Sequence, residues 1–288
     1  MKIHHLNCGT LRPFGRRLVN GTGSPFSCGE MVCHCLLIET EQGLVLVDSG
    51  IGHDDVERPA QSLGRRFQAL ARPVLDTGET AVRQVAALGY DIEDVRHIVL
   101  THLDLDHAGG LRDFPNAEVH VLRAELDAAL SAGTGAQRLR YPAAQRAHGP
   151  HWQTYEAAGE SWFGFDAVRE LTGLPPEILL VPLGGHTRGH TGVAVDSGEG
   201  WLLHAGDAYF FHGEVDPANP RSTPGLRLFQ SLVDTERSNR LHNQHRLLEL
   251  ARTSGADVTI FCAHDPVELR RHQSGPQGTS PGDALSPV

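Results

Sequence analysis

The chain of 288 residues contains almost no lysine and no long apolar run. Lys2 is the only lysine among 25 basic residues, and 35 acidic residues bring the formal net charge to −10. A protein that binds the nucleic-acid backbone needs a basic surface, so this charge balance disfavours that class. No apolar run approaches the roughly 18 residues that are needed to cross a bilayer, which disfavours a membrane-spanning protein.

Cysteine is also scarce. The chain has five cysteines, an odd number without zinc-knuckle spacing: Cys8, Cys28, Cys33, Cys35 and Cys262. The first eight residues lack the apolar stretch that a secretory signal carries. We therefore expect a cytoplasmic protein with reduced thiols, which associates with neither membranes nor nucleic acid.

Residues 101–110, Thr-His-Leu-Asp-Leu-Asp-His-Ala-Gly-Gly, are the most informative part of the chain. His102, Asp104, Asp106 and His107 place two imidazoles and two carboxylates within six residues, directly after an apolar run. Such side chains are rarely buried without partners, and one shared cation can partner all four. The glycines that follow allow the backbone to turn tightly near an ion. The segment predicts a metal site at the end of a buried strand.

Three later segments repeat this pattern, in which a metal-ligating side chain stands where a β-like run meets a loop. The first holds His186 and His190 beside glycines, the second ends in Asp207, and the third ends in His264. Loops at strand ends are the usual place for site residues on a rigid scaffold. Four such segments predict one site that is assembled from distant parts of the chain.

Short β-like runs recur along the chain, with helix-like stretches at 80–88, 123–131 and 236–252. The strands come both in hairpin-like pairs and in alternation with helices, which predicts an α/β protein with two sheets and helices outside. The β-like runs are 2–8, 33–39, 44–48, 96–101, 118–122, 178–183, 192–196, 201–204 and 258–263.

Domain organisation is predicted from composition. Residues 1–272 are expected to form one domain, in which 133–176 are an insertion or cap with weak periodicity. The aromatic residues of that segment could wall an apolar substrate pocket or could form a small core of their own; they are Trp152, Tyr155, Trp162, Phe163 and Phe165. The Ser-, Gly- and Pro-rich tail 273–288 is predicted to be disordered.

With these motifs in this order, the sequence resembles the metallo-β-lactamase fold superfamily, in particular its lactonase-like hydrolases. The resemblance runs from Leu44 to His264 and includes the turn Val47-Asp48-Ser49-Gly50 and the Gly-His-Thr-x-Gly-His element at 185–190. It implies a four-layer αβ/βα sandwich of two mixed β-sheets, with helices outside and the site at one edge.

The resemblance also implies two divalent metal ions, zinc by preference, with a hydroxide between them. The implied ligands are His102, Asp104 and His190 for one ion, Asp106, His107 and His264 for the other, and Asp207 for both. In this pattern His186 supports the loop that carries His190. Asp106 is also the expected catalytic residue, which would orient the water and carry a proton to the leaving group.

Asp104 is the one departure from the family pattern, which has a second histidine at this position. A carboxylate can bind zinc too, but its hard oxygen shifts the preference towards manganese or iron, so these metals stay open. Asp48 is expected to form the turn and Tyr209 to pack, and Phe210 is the alternative residue for the direction in which lactonase-like relatives have a tyrosine.

The implied function is hydrolysis of a small ester by the metal-bridged hydroxide, most concretely a lactone such as an acyl-homoserine lactone. A phosphotriesterase or a thioesterase would use the same metals with a different pocket. A mononuclear iron dioxygenase shares the scaffold, and a non-catalytic metal-binding sensor predicts a damaged ligand set that this sequence does not show. The expected partner is a small-molecule substrate, with a homodimer as an open alternative to the monomer.

Overall fold

A computed structural model describes residues 1–274 of the protein. The predicted disordered tail lies outside the described residues, apart from Gln273, where the last helix ends, and Ser274. No helix among the described residues is both long and apolar enough to cross a membrane.

The described residues form twelve strands and eleven α-helices. The strands are β1 (Lys2–Leu11), β2 (Met31–Thr40), β3 (Gly43–Val47), β4 (Val95–Val99), β5 (Glu118–Leu122), β6 (His151–Tyr155), β7 (Glu160–Trp162), β8 (Phe165–Glu170), β9 (Ile178–Pro182), β10 (Thr191–Asp196), β11 (Trp201–His204) and β12 (Val258–Phe261). The helices are α1 (Arg16–Asn20), α2 (His53–Glu57), α3 (Pro59–Ser62), α4 (Gly64–Ala71), α5 (Ala81–Ala87), α6 (Leu105–Ala108), α7 (Arg123–Leu130), α8 (Gly135–Arg140), α9 (Pro224–Val233), α10 (Arg237–Ser254) and α11 (Pro266–Gln273).

The strands make two six-stranded sheets, with the orders β1-β2-β3-β4-β5-β6 and β12-β11-β10-β9-β8-β7. In the first sheet β1 to β3 are antiparallel and β3 to β6 are parallel. In the second sheet only the β11–β12 pair is parallel. Both sheets are therefore mixed, as the sequence predicted.

Side chains of both sheets meet in a central apolar core. Leu36 and Val99 of the first sheet pack there with Val193 of the second, and all three are fully buried. The next residue along β2, Leu37, is also fully buried but faces the other side, where α5 and α7 cover the sheet. Helix α10 covers the outer face of the second sheet in the same way. Burying one such leucine contributes about 1.5–3 kcal/mol, and the result is the predicted four-layer sandwich.

Residues 133–176, which were predicted to be an insertion or cap, contribute strands to both sheets. They supply β6 to the edge of the first sheet and β7 and β8 to the edge of the second. Tyr155 lies in the central core, and the ring of Trp162 packs 5.3 Å from that of Trp201. Edge strands have exposed positions that blur the hydrophobic pattern, which is why this segment lacked clear periodicity. Within the segment, α8 is the part that reaches the site described next.

The strand ends place the four motif segments at one edge of the sandwich. Asp48 follows β3 and His102 follows its parallel neighbour β4, while Asp207 follows β11 and His264 follows its parallel neighbour β12. Because the carboxyl ends of parallel strands meet at the same edge of a sheet, these pairs come close together. The two sheets then bring the pairs to one place.

Candidate metal centre

Three buried ligand atoms converge at this edge, and we call them the His107–His264 cluster. Oδ1 of Asp207 lies 3.3 Å from Nε2 of His107 and 3.1 Å from Nε2 of His264. The two imidazole nitrogens are 3.3 Å apart. Ligands about 2.0–2.1 Å from a tetrahedral zinc ion lie roughly 3.3 Å from one another, so the spacing fits one ion. Among the described residues, Asp207 Oδ1 has no hydrogen-bond partner.

Neighbouring acceptors orient both histidines of this cluster. Nδ1 of His107 lies 2.8 Å from Oδ2 of Asp48, and Nδ1 of His264 lies 2.7 Å from the carbonyl oxygen of Val32. A carboxylate and a carbonyl can only accept, so both Nδ1 atoms carry the proton. The lone pairs of both Nε2 atoms therefore face Asp207, as metal ligation requires.

Asp48 does more than form the predicted turn. Besides His107, it accepts hydrogen bonds of 2.8 Å from the backbone N–H and from the hydroxyl of Thr101. Because that hydroxyl donates to Asp48, it accepts from Nδ1 of His102 at 2.9 Å, which turns the lone pair of His102 Nε2 into the site. Asp48 thus orients two predicted ligands at once.

His102, Asp104 and His186 form a second group on the other side of Asp207, which we call the Asp104 cluster. Oδ2 of Asp207 lies 3.7 Å from Nε2 of His102 and 3.3 Å from Nε2 of His186. Oδ2 of Asp104 lies 3.4 Å and 3.0 Å from the same two nitrogens. Asp207 therefore faces the His107–His264 cluster with one oxygen and the Asp104 cluster with the other.

Arg140, at the end of α8, binds this second group. Its Nε and Nη2 donate to the two oxygens of Asp104 at 2.6 and 2.7 Å, and Nη2 also lies 2.8 Å from Nε2 of His186. Burial raises the pKa of Asp104, but the positive charge of Arg140 and the neighbouring His102 hold it well below its usual value. Asp104 is therefore an ionised carboxylate with a cation already beside it.

His190 and His186 exchange the positions that the sequence predicted for them. His190 donates from Nδ1 to the carbonyl oxygen of Leu183 at 3.1 Å and accepts at Nε2 from the backbone N–H of Asp207 at 2.9 Å. Both nitrogens are occupied, so His190 anchors the Asp207 loop, and His186 presents a nitrogen to the site. Gly206 permits this contact: its φ is +52°, and a Cβ there would lie 2.6 Å from His190 Nε2.

Asp106 lies beside the His107–His264 cluster. It lies in the first turn of α6, with its Oδ2 3.7 Å from Nε2 of His264, and its side chain is 13% exposed. The predicted ligands that the structure brings together are thus His102, Asp104, Asp106, His107, Asp207 and His264.

Two residues of the centre were missed by the sequence analysis. Arg140 comes from the weakly patterned segment described above. Glu125, fully buried in α7, accepts from the backbone N–H of Leu103 at 3.0 Å and from that of Gly189 at 3.1 Å, and so joins the two histidine-bearing loops. Nothing in the local pattern distinguishes either residue from an ordinary polar residue of a helix.

The two aromatic residues after Asp207 have different roles. Tyr209 is fully buried, and its hydroxyl donates to Glu268 at 3.0 Å, in agreement with the predicted packing role. The ring of Phe210 stacks on His264 with centroids 5.3 Å apart, and it contacts Phe229 of α9 at 5.5 Å. Phe229 is 43% exposed. An apolar surface therefore extends from the metal centre towards solvent.

The charge around the cluster favours a cation. Burial lowers the pKa of His107, but the carboxylates of Asp207 and Asp48 raise it well above its usual value. These carboxylates draw positive charge to the site, and a divalent ion would supply that charge at the converging ligand atoms. The donors and their spacing therefore fit a metal ion at the His107–His264 cluster.

Comparisons with known proteins identify the family of this chain. Residues 28–264 match the profile of the metallo-β-lactamase superfamily. A probable metallo-hydrolase of Mycobacterium tuberculosis is 44% identical over 266 residues, which cover 92% of this chain and 81% of the relative. An N-acyl homoserine lactonase of Rhizobium johnstonii is 29% identical over 285 residues, covering 96% of this chain and 98% of the relative. The chain therefore belongs to the metallo-β-lactamase superfamily, and it is a metallo-hydrolase of that superfamily.

Solved structures show the same fold. An N-acyl homoserine lactone hydrolase with N-hexanoyl-L-homoserine bound at its catalytic metal centre aligns with a TM-score of 0.69 at 22% identity, covering 94% of this chain and 95% of that one. A variant of the B. thuringiensis protein AiiA, with N-decanoyl-L-homoserine bound at its active site, aligns with a TM-score of 0.70 and the same coverage. At this identity the likeness concerns the fold.

Proposed function

We propose that the protein hydrolyses a small ester, most concretely a lactone of the acyl-homoserine type, with a divalent ion at the His107–His264 cluster. The observation that carries the proposal is the convergence of three ligand atoms within 3.1–3.3 Å of one another. Relatives that are N-acyl homoserine lactonases match this chain over 96% of its length, which supports the choice of a lactone.

Zinc is the proposed metal. Two imidazoles and a carboxylate are a donor set that zinc accepts in catalytic sites, which keep one position open. The reason for considering manganese or iron was the hard oxygen of Asp104, and that oxygen is bound by Arg140. The resemblance implies a second ion at His102, Asp104 and His190, and beside Asp104 the side chain of Arg140 already supplies a positive charge.

The residues around the cluster suggest how catalysis would proceed. A divalent ion held by His107, His264 and Asp207 would supply Lewis acidity, which would lower the pKa of a water molecule and polarise the substrate carbonyl. Asp106, partly exposed beside His264, would accept a proton from the attacking water and deliver it to the leaving alkoxide. Phe229 would contact the acyl chain, since it is exposed and packs on Phe210 next to the centre.

The test is a substrate series at one metal loading. The zinc-loaded protein is given N-acyl homoserine lactones with chains of six to twelve carbons, an aryl ester, a thioester and a phosphotriester, and acid release is followed in a pH-stat. We expect the lactones to have the highest kcat/KM and Asp106→Asn to lose activity while keeping its zinc. Turnover of the phosphotriester or the thioester alone would replace the lactone by that substrate class.

A second candidate function rests on the same three donors. Two histidines and one carboxylate are also the ligand set of mononuclear non-haem iron oxygenases. Iron in the purified protein, together with oxygen consumption that depends on an added thiol or other organic substrate, would favour this alternative over hydrolysis. The homodimer and the cytoplasmic location stay predictions.

A further inference from the structure

Arg140 binds two of the residues that form the Asp104 cluster. Its Nη2 is 2.7 Å from Oδ2 of Asp104 and 2.8 Å from Nε2 of His186. Those two atoms are 3.0 Å apart, so one guanidinium nitrogen bridges the pair of ligand atoms that an ion would have to bridge. An ion bound to both, about 2.0–2.1 Å from each, would lie beside the positive charge of the guanidinium.

The guanidinium is also fixed in place from its other side. Its Nη1 donates to the carbonyl oxygen of Val233, at the end of α9, at 2.7 Å. Its Nε completes the bidentate pair with Asp104. An arginine side chain stays protonated at every relevant pH and matches a carboxylate with two parallel hydrogen bonds. A second ion would have to compete with this cation for Asp104 and His186.

The two clusters therefore differ in how many of their ligand atoms remain available to bind an ion. In the Asp104 cluster His102 Nε2 is the one ligand nitrogen without a hydrogen-bond partner, since Arg140 engages Asp104 and His186. In the His107–His264 cluster no arginine contacts the ligand atoms among the described residues, and Asp207 Oδ1 is free of hydrogen bonds. A single imidazole and the far oxygen of Asp207 are too few protein ligands for a second stable ion.

We propose that Arg140 is the resident cation of the Asp104 cluster, so that the protein binds one divalent ion, at the His107–His264 cluster. This inference rests on the metal assignment of the proposed function. It replaces the expected second ion by a side chain, and it explains why an aspartate stands where the family pattern has a histidine. A carboxylate pairs with a guanidinium, whereas a neutral imidazole would leave Arg140 buried beside a metal ion without a counter-charge.

The experiment is a metal titration of the metal-free full chain. Zinc bound at equilibrium is counted by elemental analysis after dialysis, and cobalt bound in its place is followed by its visible absorption spectrum. We expect one equivalent in the wild type and two in Arg140→Gln, with the second set of cobalt bands appearing only in the variant. Arg138→Gln, an exposed arginine of the same helix, is the matched control and should bind one equivalent.

Asp104→Asn gives an independent test that does not rely on removing the arginine. If Arg140 rather than an ion holds Asp104, this variant keeps one equivalent with a zinc Kd within about threefold of the wild type. Loss of an equivalent in Asp104→Asn, or one equivalent in a folded Arg140→Gln, would overturn the inference. Two equivalents in the wild type would overturn it and leave the proposed function intact, whereas no bound metal would refute both.

Discussion

The two halves of the metal centre are built around the two oxygens of one aspartate, Asp207, and they differ in the charge beside them. The His107–His264 half has Asp48 behind it, which orients His107 and adds negative charge. The Asp104 half has Arg140 in front of it, which satisfies Asp104 and His186. Similar donor atoms thus face an excess of negative charge in one half and a resident positive charge in the other.

If Arg140 is the resident cation of its half, as proposed, ligand type alone does not decide where an ion binds. His102 and His107 come from the same six-residue motif, and both present an Nε2 lone pair to Asp207. Their surroundings come from elsewhere in the chain: Asp48 follows β3, and Arg140 ends α8. The net charge that those distant residues bring determines which half can stabilise a divalent cation.

The largest difference in metal content and activity is expected between two variants that each lack one histidine, one from each half. His107→Ala should lose the bound ion and reduce kcat/KM by about 10³-fold or more, because the Lewis acidity of the ion contributes several kcal/mol to catalysis. His102→Ala should keep one equivalent of metal. Metal content and kcat/KM are measured on both, with the exposed His242→Ala as control. Equal metal loss in both variants would mean that the two halves bind as one unit.

Removing the negative charge behind His107 should weaken metal binding at the His107–His264 cluster. Asp48→Asn keeps the side-chain volume, but it lacks the charge that supports the imidazole as a ligand. A lost partner of this kind typically costs 10–100-fold in metal affinity, and we expect a zinc Kd weaker by about that factor. Competition with a chromophoric chelator measures it, with the exposed Asp91→Asn as control. An unchanged Kd would show that Asp48 supports the fold alone.

Substitutions of His190 and His186 are expected to have different effects on stability and on metal binding. In the apoprotein, His190→Ala should lower the free energy of unfolding by about 2–3 kcal/mol, since it removes two buried hydrogen bonds and leaves the N–H of Asp207 unsatisfied. His186→Ala should lower it less, because its Nδ1 has no partner among the described residues. Urea titrations measure both values. If His190→Ala instead leaves apoprotein stability unchanged and abolishes metal binding, His190 is a ligand.

The smallest effect concerns buried histidines outside the centre. Burial, together with neighbouring histidines, lowers the pKa of His5 to about 2 and that of His120 to about 3. Their unfolded value is near 6.5, so below that pH the unfolded chain binds protons that the folded chain does not. Stability should therefore be complete above pH 6.5 and fall as the pH decreases, by about 1–2 kcal/mol for each of these histidines at pH 5.

Denaturant titrations of the apoprotein between pH 7.5 and 5 measure this slope. His120→Gln removes one titrating group and should make the decline shallower than in the wild type. A slope that His120→Gln leaves unchanged would assign the acid sensitivity to the other buried histidines whose pKa is lowered, because the raised pKa of His107 makes stability increase as the pH decreases. The variant therefore measures how much His120, which is buried as a neutral ring, contributes to the acid sensitivity.

Most of the scaffold could be predicted because its elements carry local signals. The apolar run of β2 has both faces buried, and β4 leads directly into the histidine motif, so each is visible within a few residues of sequence. The edge strands β7 and β8 lack such a signal, because their exposed positions interrupt the apolar pattern. Their aromatic residues therefore suggested a cap, where the structure has the edge of a sheet.

The sequence by itself determined the α/β sandwich, the four motif segments and the chemical types of the ligands, because strand ends and metal donors are local features. Only the tertiary structure decided that His186 rather than His190 presents its nitrogen to Asp207, since that depends on how closely Gly206 approaches the ring. It also decided that Arg140 meets Asp104 across 36 residues of sequence. A contact between side chains that are distant in sequence leaves no periodicity or spacing to read, so its consequences for charge become visible only in the folded chain.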